Sequence, residues 1–375
     1  MERIYFDNAA TTPLDPSVLE AMMPYLTEKF GNPSSIYSYG RESRMAIEQA
    51  RKTVAELVHA HPAEIFFTSG GTESSNAAIR AAVQDLGCKH IISSPLEHHA
   101  TLHTIQYYKE RGEATVHFLK VLPNGHVDFA QLESLLIHLG DKTLVTLMHA
   151  NNETGNLLDI SEVAEICKKR QAIFHSDAVQ TLGHYPFNLS SLPMHFISGA
   201  AHKFHGPKGV GILYINELIK VKPNIHGGSQ ERNMRAGTEN VYGIVGLAKA
   251  LKLATERMDQ DSSYINELRI YMSNELKKAI PSVEFNGDPF GKSLYTILSV
   301  SFPKTERAEM LLFNLDIHHI CASGGSACTS GAQQGSHVIR AIYPDSDRTT
   351  VRFSFSRYNT KKEVDEVVNK LKALV

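Results

Sequence analysis

The sequence predicts an α/β protein with a large domain over residues 13–260 and a smaller α+β domain built from residues 1–12 and 261–375. Three observations carry this reading. Short apolar runs alternate with helical patterns as far as about Asp261. Several of those runs end in polar or small residues, which is where strands of an open α/β sheet meet a ligand. With 375 residues, the chain also exceeds the roughly 250–300 residues that one hydrophobic core organises.

Taken in order, Ile65-Phe66-Phe67-Thr68, Leu144 to Met148 and Ala172 to His175 read as strands, each followed by a candidate helix. The first runs into Ser69-Gly70-Gly71-Thr72-Glu73-Ser74, after which alanines and the Ile79 and Val83 spacing predict a helix from Asn76 to Leu86. Helical patterns over Glu239 to Met258 and Tyr264 to Ala279 mark the domain boundary. Beyond it, Val283 to Phe285, Leu294 to Phe302, Ile317 to Ala322 and Thr350 to Phe355 read as strands, and Lys361 to Leu374 is amphipathic. No internal repeat or low-complexity tract is visible.

The chemistry centres on Lys203, in Ser198-Gly199-Ala200-Ala201-His202-Lys203, directly after an apolar run. Most lysines are solvated surface charges, and Lys208 is read as one. Lys203 differs because an acid, Asp177, ends a neighbouring apolar run. A lysine beside an acid that can keep a ring nitrogen protonated is what pyridoxal phosphate (PLP) chemistry requires, so Lys203 is a candidate Schiff-base lysine. Gln180, three residues after Asp177, can reach the ring oxygen. The glycines and hydroxyl of Ser69 to Ser74, at a helix N-terminus, suit a phosphate, although the same residues also make an ordinary capped turn. In His149-Ala150-Asn151-Asn152-Glu153-Thr154-Gly155 the amides can donate to a ligand, or simply form a turn.

The small-residue run Gly324-Gly325-Ser326-Ala327-Cys328-Thr329-Ser330-Gly331 suits neither a helix interior nor a packed strand, so Cys328 is expected on a loop as a nucleophile. Cys88, Cys167 and Cys321 read as helix-end, core or strand-end thiols. The absence of any Cys-x-x-Cys pair removes zinc-knuckle and dithiol readings. His99 and His103 form an i, i+4 pair, but without the His-Glu-x-x-His order or a shared carboxylate no metal is expected.

Eleven segments run in one order from Tyr5 to Ser354. They include Tyr5 to Pro13, Phe30 to Ser35, Thr68 to Ser74, Glu97-His98, His149 to Glu153, His175 to Gln180, His202-Lys203, Gly206 to Gly209, Arg235 to Thr238, Ser326 to Ser330 and Arg352-Phe353-Ser354. Through them the chain resembles the cysteine desulfurases of the NifS/IscS type, PLP-dependent transferases of fold type I. The Ser-Ala-Cys-Thr-Ser segment resembles their long-loop class. The resemblance implies a large domain with a mainly parallel mixed sheet and a smaller α+β domain carrying a mobile Cys328 loop. It also implies that Lys203 binds the cofactor covalently, Asp177 pairs with its ring nitrogen, Gln180 contacts its ring oxygen, and His98 stacks on the ring and helps move protons. Gly71, Thr72, Ala200 and His202 fall at the phosphate, joined by Thr238 from a second subunit, and Asn152 and Arg352 grip the substrate carboxylate. Arginine suits that role because its planar fork makes two parallel bonds to a carboxylate. Ala200 stands where the family usually has a serine, so one phosphate hydroxyl is missing.

The implied reaction converts L-cysteine to L-alanine and leaves the sulfur as a persulfide on Cys328, for delivery to an acceptor protein such as an iron–sulfur scaffold. A selenocysteine lyase or another PLP-dependent C–S lyase would share Lys203, Asp177 and His98, and a catalytically idle scaffold subunit is the reading from another class. The chain ends at Val375 without the further tail that the IscS branch uses for docking its scaffold, so that partner is not carried over. The formal charge of −2 gives no reason to expect nucleic acid. No apolar run reaches the ~18 residues of a spanning helix. The start Met1-Glu2-Arg3-Ile4 is not a signal peptide, and four cysteines in so long a chain fit a reducing compartment. The expectation is a cytoplasmic homodimer.

Overall fold

A computed structural model of the chain describes residues 3–140, 142–305, 308, 310–324 and 335–375. The strands are β1 (Ile4–Tyr5), β2 (Ile65–Thr68), β3 (His90–Ser93), β4 (Thr115–Phe118), β5 (Thr143–Thr146) and β6 (Ile173–Asp177). They continue with β7 (Phe196–Ala200), β8 (Gly211–Ile215), β9 (Glu284–Phe285), β10 (Ile297–Phe302), β11 (Ile320–Cys321) and β12 (Thr349–Ser354). The helices are α1 (Pro16–Thr27), α2 (Ser38–Leu57), α3 (Gly71–Arg80), α4 (His99–Glu110), α5 (Phe129–Leu139) and α6 (Ile160–Lys169). Then come α7 (Val241–Glu256), α8 (Met258–Ala279), α9 (Leu311–Ile317), α10 (His337–Ile342) and α11 (Lys361–Leu374).

Seven strands form the central sheet in the order β2-β8-β7-β6-β5-β3-β4. Strands β4, β3, β5, β6 and β7 pair in parallel, and β8 runs antiparallel to both of its neighbours. This is the mainly parallel mixed sheet that the sequence leads one to expect. Residues of β5, β7 and β8 are buried throughout, as befits a sheet covered by helices on both faces. The largest apolar core joins α1, α2 and α7 to one face of this sheet.

A second core surrounds the antiparallel trio β12-β10-β9 and the inner faces of α8 and α11. Val364, Val367, Val368 and Leu371 of α11 repeat at helical spacing and bury one stripe there. The start of the chain belongs to the same core: β1 pairs in parallel with β11, Phe6 is fully buried against Phe353 and Phe355, and Asp7 bridges to Ser354. Residues 7–12 then pass to the C-terminal ends of the central strands, where Thr12 N–H donates to the His202 carbonyl at 2.9 Å.

Three expectations change. The helix read from Asn76 begins at Gly71 and runs to Arg80, extended by a π turn over Ala81–Asp85. Gly70, with φ 153°, makes the sharp entry, and the glycine pair starts the helix instead of preceding it. The strand read over Ile317 to Ala322 shrinks to Ile320–Cys321. Leu311 and Leu315, four apart, bury a helical face that ends at Ile317, and His319 turns the chain at φ 60°. No helix follows β6, which passes through turns before β7. Among the described residues, no helix is long and apolar enough to cross a membrane.

Candidate active site

A cleft of about 860 Å³ opens at the C-terminal ends of the parallel strands, between them and β12. It gathers ten of the residues that the sequence singles out: Gly71, Thr72, His98, Asn152, Asp177, Gln180, Ala200, His202, Lys203 and Arg352. Thr238 is exposed and does not line it, and Cys328 lies outside the described residues.

Lys203 closes a single 3₁₀ turn, Ala201–Lys203, that leaves β7. Its Nζ donates to two main-chain carbonyls, Ala9 O at 2.5 Å and Ala10 O at 2.8 Å. Gln180 Nε2 donates to the same Ala9 carbonyl at 3.0 Å. Lys208 is exposed, as expected of a surface lysine.

Asp177 ends β6 and is 6% exposed. The Val179 N–H donates to its Oδ1 at 2.9 Å. Burial raises the carboxyl to about 6, against the opposing pull of that hydrogen bond and of the Lys203 charge. The folded value exceeds the unfolded one. Without cofactor, Asp177 therefore favours folding below the ordinary carboxylate range, and that contribution is lost as pH rises through about 6. Cofactor-free Asp177→Asn is expected to melt above the wild type near pH 8, the gap closing towards pH 4. Calorimetry of both proteins across that range checks this, and an unchanged gap would show that Asp177 is not the titrating group.

His98 caps α4, accepting the Ala100 N–H at Nδ1 over 3.1 Å. That bond leaves the proton of the neutral ring on Nε2. Burial first, and then the Lys203 charge, lower its pKa to about 4. His202 is similarly lowered to about 4 by burial and by Lys203, and its Nδ1 lies 3.2 Å from Thr11 Oγ1. At Gly71 any Cβ would collide with Val179 Cγ2, so only glycine lets the first turn of α3 close on the Asp177–Gln180 segment. Ala200 is buried and carries no hydroxyl. Ser198 cannot replace one, because it is fully buried with its Oγ 2.9 Å from His175 Nε2.

Arg352, on β12, is 2% exposed. It donates from Nη1 to the Asn152 carbonyl at 2.7 Å and from Nη2 to Asp7 Oδ1 at 2.7 Å. Its Nε is buried and has no hydrogen-bond partner among the described residues. Behind the lining residues His98 and Met148, Glu97 is 1% exposed and takes the Met148 N–H at 2.7 Å, and burial pushes its carboxyl well above the usual range. The sequence reading assigned no role to Glu97, nor to the Ala9 and Ala10 carbonyls. Glu97 could have been noticed as a lone acid after Pro95-Leu96, whereas a main-chain carbonyl leaves no trace in a sequence. Among the described residues no histidine, cysteine and carboxylate cluster is arranged to hold a metal.

These groups fit PLP. The buried Asp177 carboxylate, costly without a cation, suits a protonated ring nitrogen. The first turn of α3 leaves N–H donors for a phosphate, and the orphaned Arg352 Nε suits a carboxylate. The aminotransferase class-V family matches residues 4–367. The chain belongs to this family. It is a PLP-dependent family, in keeping with the cofactor expected from Lys203 and Asp177. Cysteine desulfurase IscS of Dictyoglomus turgidum is 44% identical over 99% of this chain and 94% of its own length. A cysteine desulfurase of Nostoc is 43% identical over 100% of this chain and 93% of its own. Among solved structures, a NifS-like protein superposes with TM-score 0.91 at 38% identity, covering 99% of each chain. A complex of SspA with cysteine gives 0.81 at 30% identity, over 95% of this class-V chain and 100% of the other.

Proposed function

We propose that this class-V enzyme is a cysteine desulfurase that converts L-cysteine to L-alanine and transfers the sulfur to Cys328. The observation that carries the reading is the single cleft that combines Lys203, Asp177 and Arg352, in a chain 44% identical to a cysteine desulfurase over nearly its full length. Lys203 would hold PLP covalently, with Asp177 at the ring nitrogen, Gln180 at the ring oxygen, His98 against the ring, and Gly71, Thr72, Ala200 and His202 at the phosphate. Bound there, PLP supplies the electron sink that weakens the bonds at the substrate's α and β carbons.

Arg352 and Asn152 grip the substrate carboxylate and orient the α-proton towards Lys203. Lys203 Nζ, once free, takes that proton. His98, with Nδ1 committed to Ala100, exchanges protons only through Nε2. Asp177 keeps the ring nitrogen protonated. Cys328 Sγ, as a thiolate, attacks the substrate sulfur; the C–S electron pair stays with the carbon skeleton, which takes up protons and leaves as alanine.

In this reading residues 13–260 supply the cofactor site, and residues 1–12 with 261–375 supply Arg352 and Cys328. A homodimer completes the site. Thr238 lies on an exposed stretch whose Gly237 N–H donates to Gln230 Oε1 at 3.2 Å, while Gln230 Nε2 reaches Ser34 Oγ at 3.4 Å. Next to Ser34, Ile36 is 88% and Phe30 75% exposed, an apolar face suited to a second copy. Thr238 thereby stands at the edge of a face where it can enter the partner's phosphate site. The persulfide passes to an acceptor protein, in the class of iron–sulfur scaffolds, in the cytoplasm.

The test is incubation of PLP-loaded protein with L-cysteine, measuring alanine and the mass of the Cys328 peptide. Alanine with one added sulfur on that peptide is expected, and Cys328→Ala should lower alanine formation by about 100-fold or more. Undiminished alanine from Cys328→Ala would instead identify a C–S lyase that needs no protein persulfide.

A further inference from the structure

The catalytic lysine faces two ways. Its Nζ lies at the cleft, while the residue also lines a second, smaller space behind the turn, together with His184, Tyr295, Asp261 and Arg357 among others. There His184 Nε2 lies 3.2 Å from the Lys203 carbonyl oxygen. A carbonyl only accepts, so Nε2 carries the ring proton and Nδ1 is left as an acceptor. Nδ1 lies 2.9 Å from the Tyr295 hydroxyl. That hydroxyl has one proton and its other contact, the His184 carbonyl, is longer at 3.4 Å, so the proton goes to Nδ1. The two rings meet edge to face, with centroids 5.6 Å apart and planes at 72°. Burial holds the His184 pKa down, so the neutral tautomer persists at neutral pH.

Tyr295 is 7% exposed and lies two residues before β10. Along β10, Ser299 pairs with Arg352 of β12. One hydrogen-bonded chain therefore runs to the main chain of Lys203 from Tyr295, which leads into the strand paired with the one that carries Arg352. We propose that Tyr295 and His184 are positioning residues for Lys203: the chain Tyr295 Oη–H to His184 Nδ1 and His184 Nε2–H to Lys203 O sets the turn that aims the lysine amine. The inference rests on the PLP-enzyme reading of the cleft but not on the identity of the amino-acid substrate.

The experiment follows covalent capture of added PLP by cofactor-free protein, reading the rate at which the Lys203 peptide becomes reducible by borohydride, beside kcat and KM for L-cysteine. Tyr295→Phe keeps the ring and its packing, His184→Leu removes both hydrogen bonds, and His184→Gln restores a donor near the Nε2 position. Expected are capture and kcat lowered about 3- to 10-fold by Tyr295→Phe and His184→Leu, as for the loss of one modest hydrogen bond, with KM within about 2-fold. His184→Gln should recover most of the capture rate. The double variant should be no slower than His184→Leu, because both substitutions break one chain. Wild-type capture by Tyr295→Phe, or additive losses in the double variant, would overturn the proposal. If the wild type captured PLP but made no alanine from L-cysteine, the desulfurase reading would fail while the positioning test stood.

Discussion

Lys203→Ala forms alanine from L-cysteine at least about 1000-fold more slowly than the wild type, the scale expected when a proton-transferring group is lost together with the covalent hold on the cofactor. The variant remains folded, because the contacts of Lys203 Nζ to the Ala9 and Ala10 carbonyls lie at the edge of the cleft, and the turn that carries it packs through the fully buried Ala201. Dialysis distinguishes the two losses: PLP washes out of Lys203→Ala and stays in the wild type. A variant that held PLP through dialysis and kept more than a tenth of the activity would remove Lys203 from its proposed role.

Arg352→Lys raises KM for L-cysteine about 100-fold, with a smaller fall in kcat. Lysine keeps the charge but not the fork, so the two bonds that hold the group to Asp7 and Asn152 and the donor left for the substrate cannot all be made at once. Arg352→Ala is more damaging to the fold, because it strips the partner from Asp7 in a site where the guanidinium is 2% exposed. Steady-state kinetics beside a melting curve separates the effects. A normal KM in Arg352→Lys would mean that another group binds the carboxylate.

Much of this site was legible in the sequence for a physical reason. Lys203, Asp177 and Gly71 stand at the ends of apolar runs, and in a parallel sheet such ends converge on one edge. The alternation of strands and helices was readable for the same reason, as was the amphipathic stripe of α11. Element ends were less so. The helix after β2 starts at Gly71 because the positive φ of Gly70 turns the chain at once, whereas glycines in a sequence read first as loop. Ile317 reads as strand by composition but is the last turn of α9, fixed by the burial of Leu311 and Leu315. The burial of Glu97 and the His184–Tyr295 pair were missed because they arise from tertiary neighbours 51 and 111 residues away in the chain.

The floor beneath Lys203 is made of peptide carbonyls, and the two residues that supply them are already alanines. An alanine scan therefore passes over Ala9 and Ala10 without a mark, and a search for charged partners of the lysine passes over these two carbonyls as well. What the segment contributes is its path. Only a change that bends that path, such as a proline placed in it, would expose how much of the catalytic geometry depends on two side chains that are barely there.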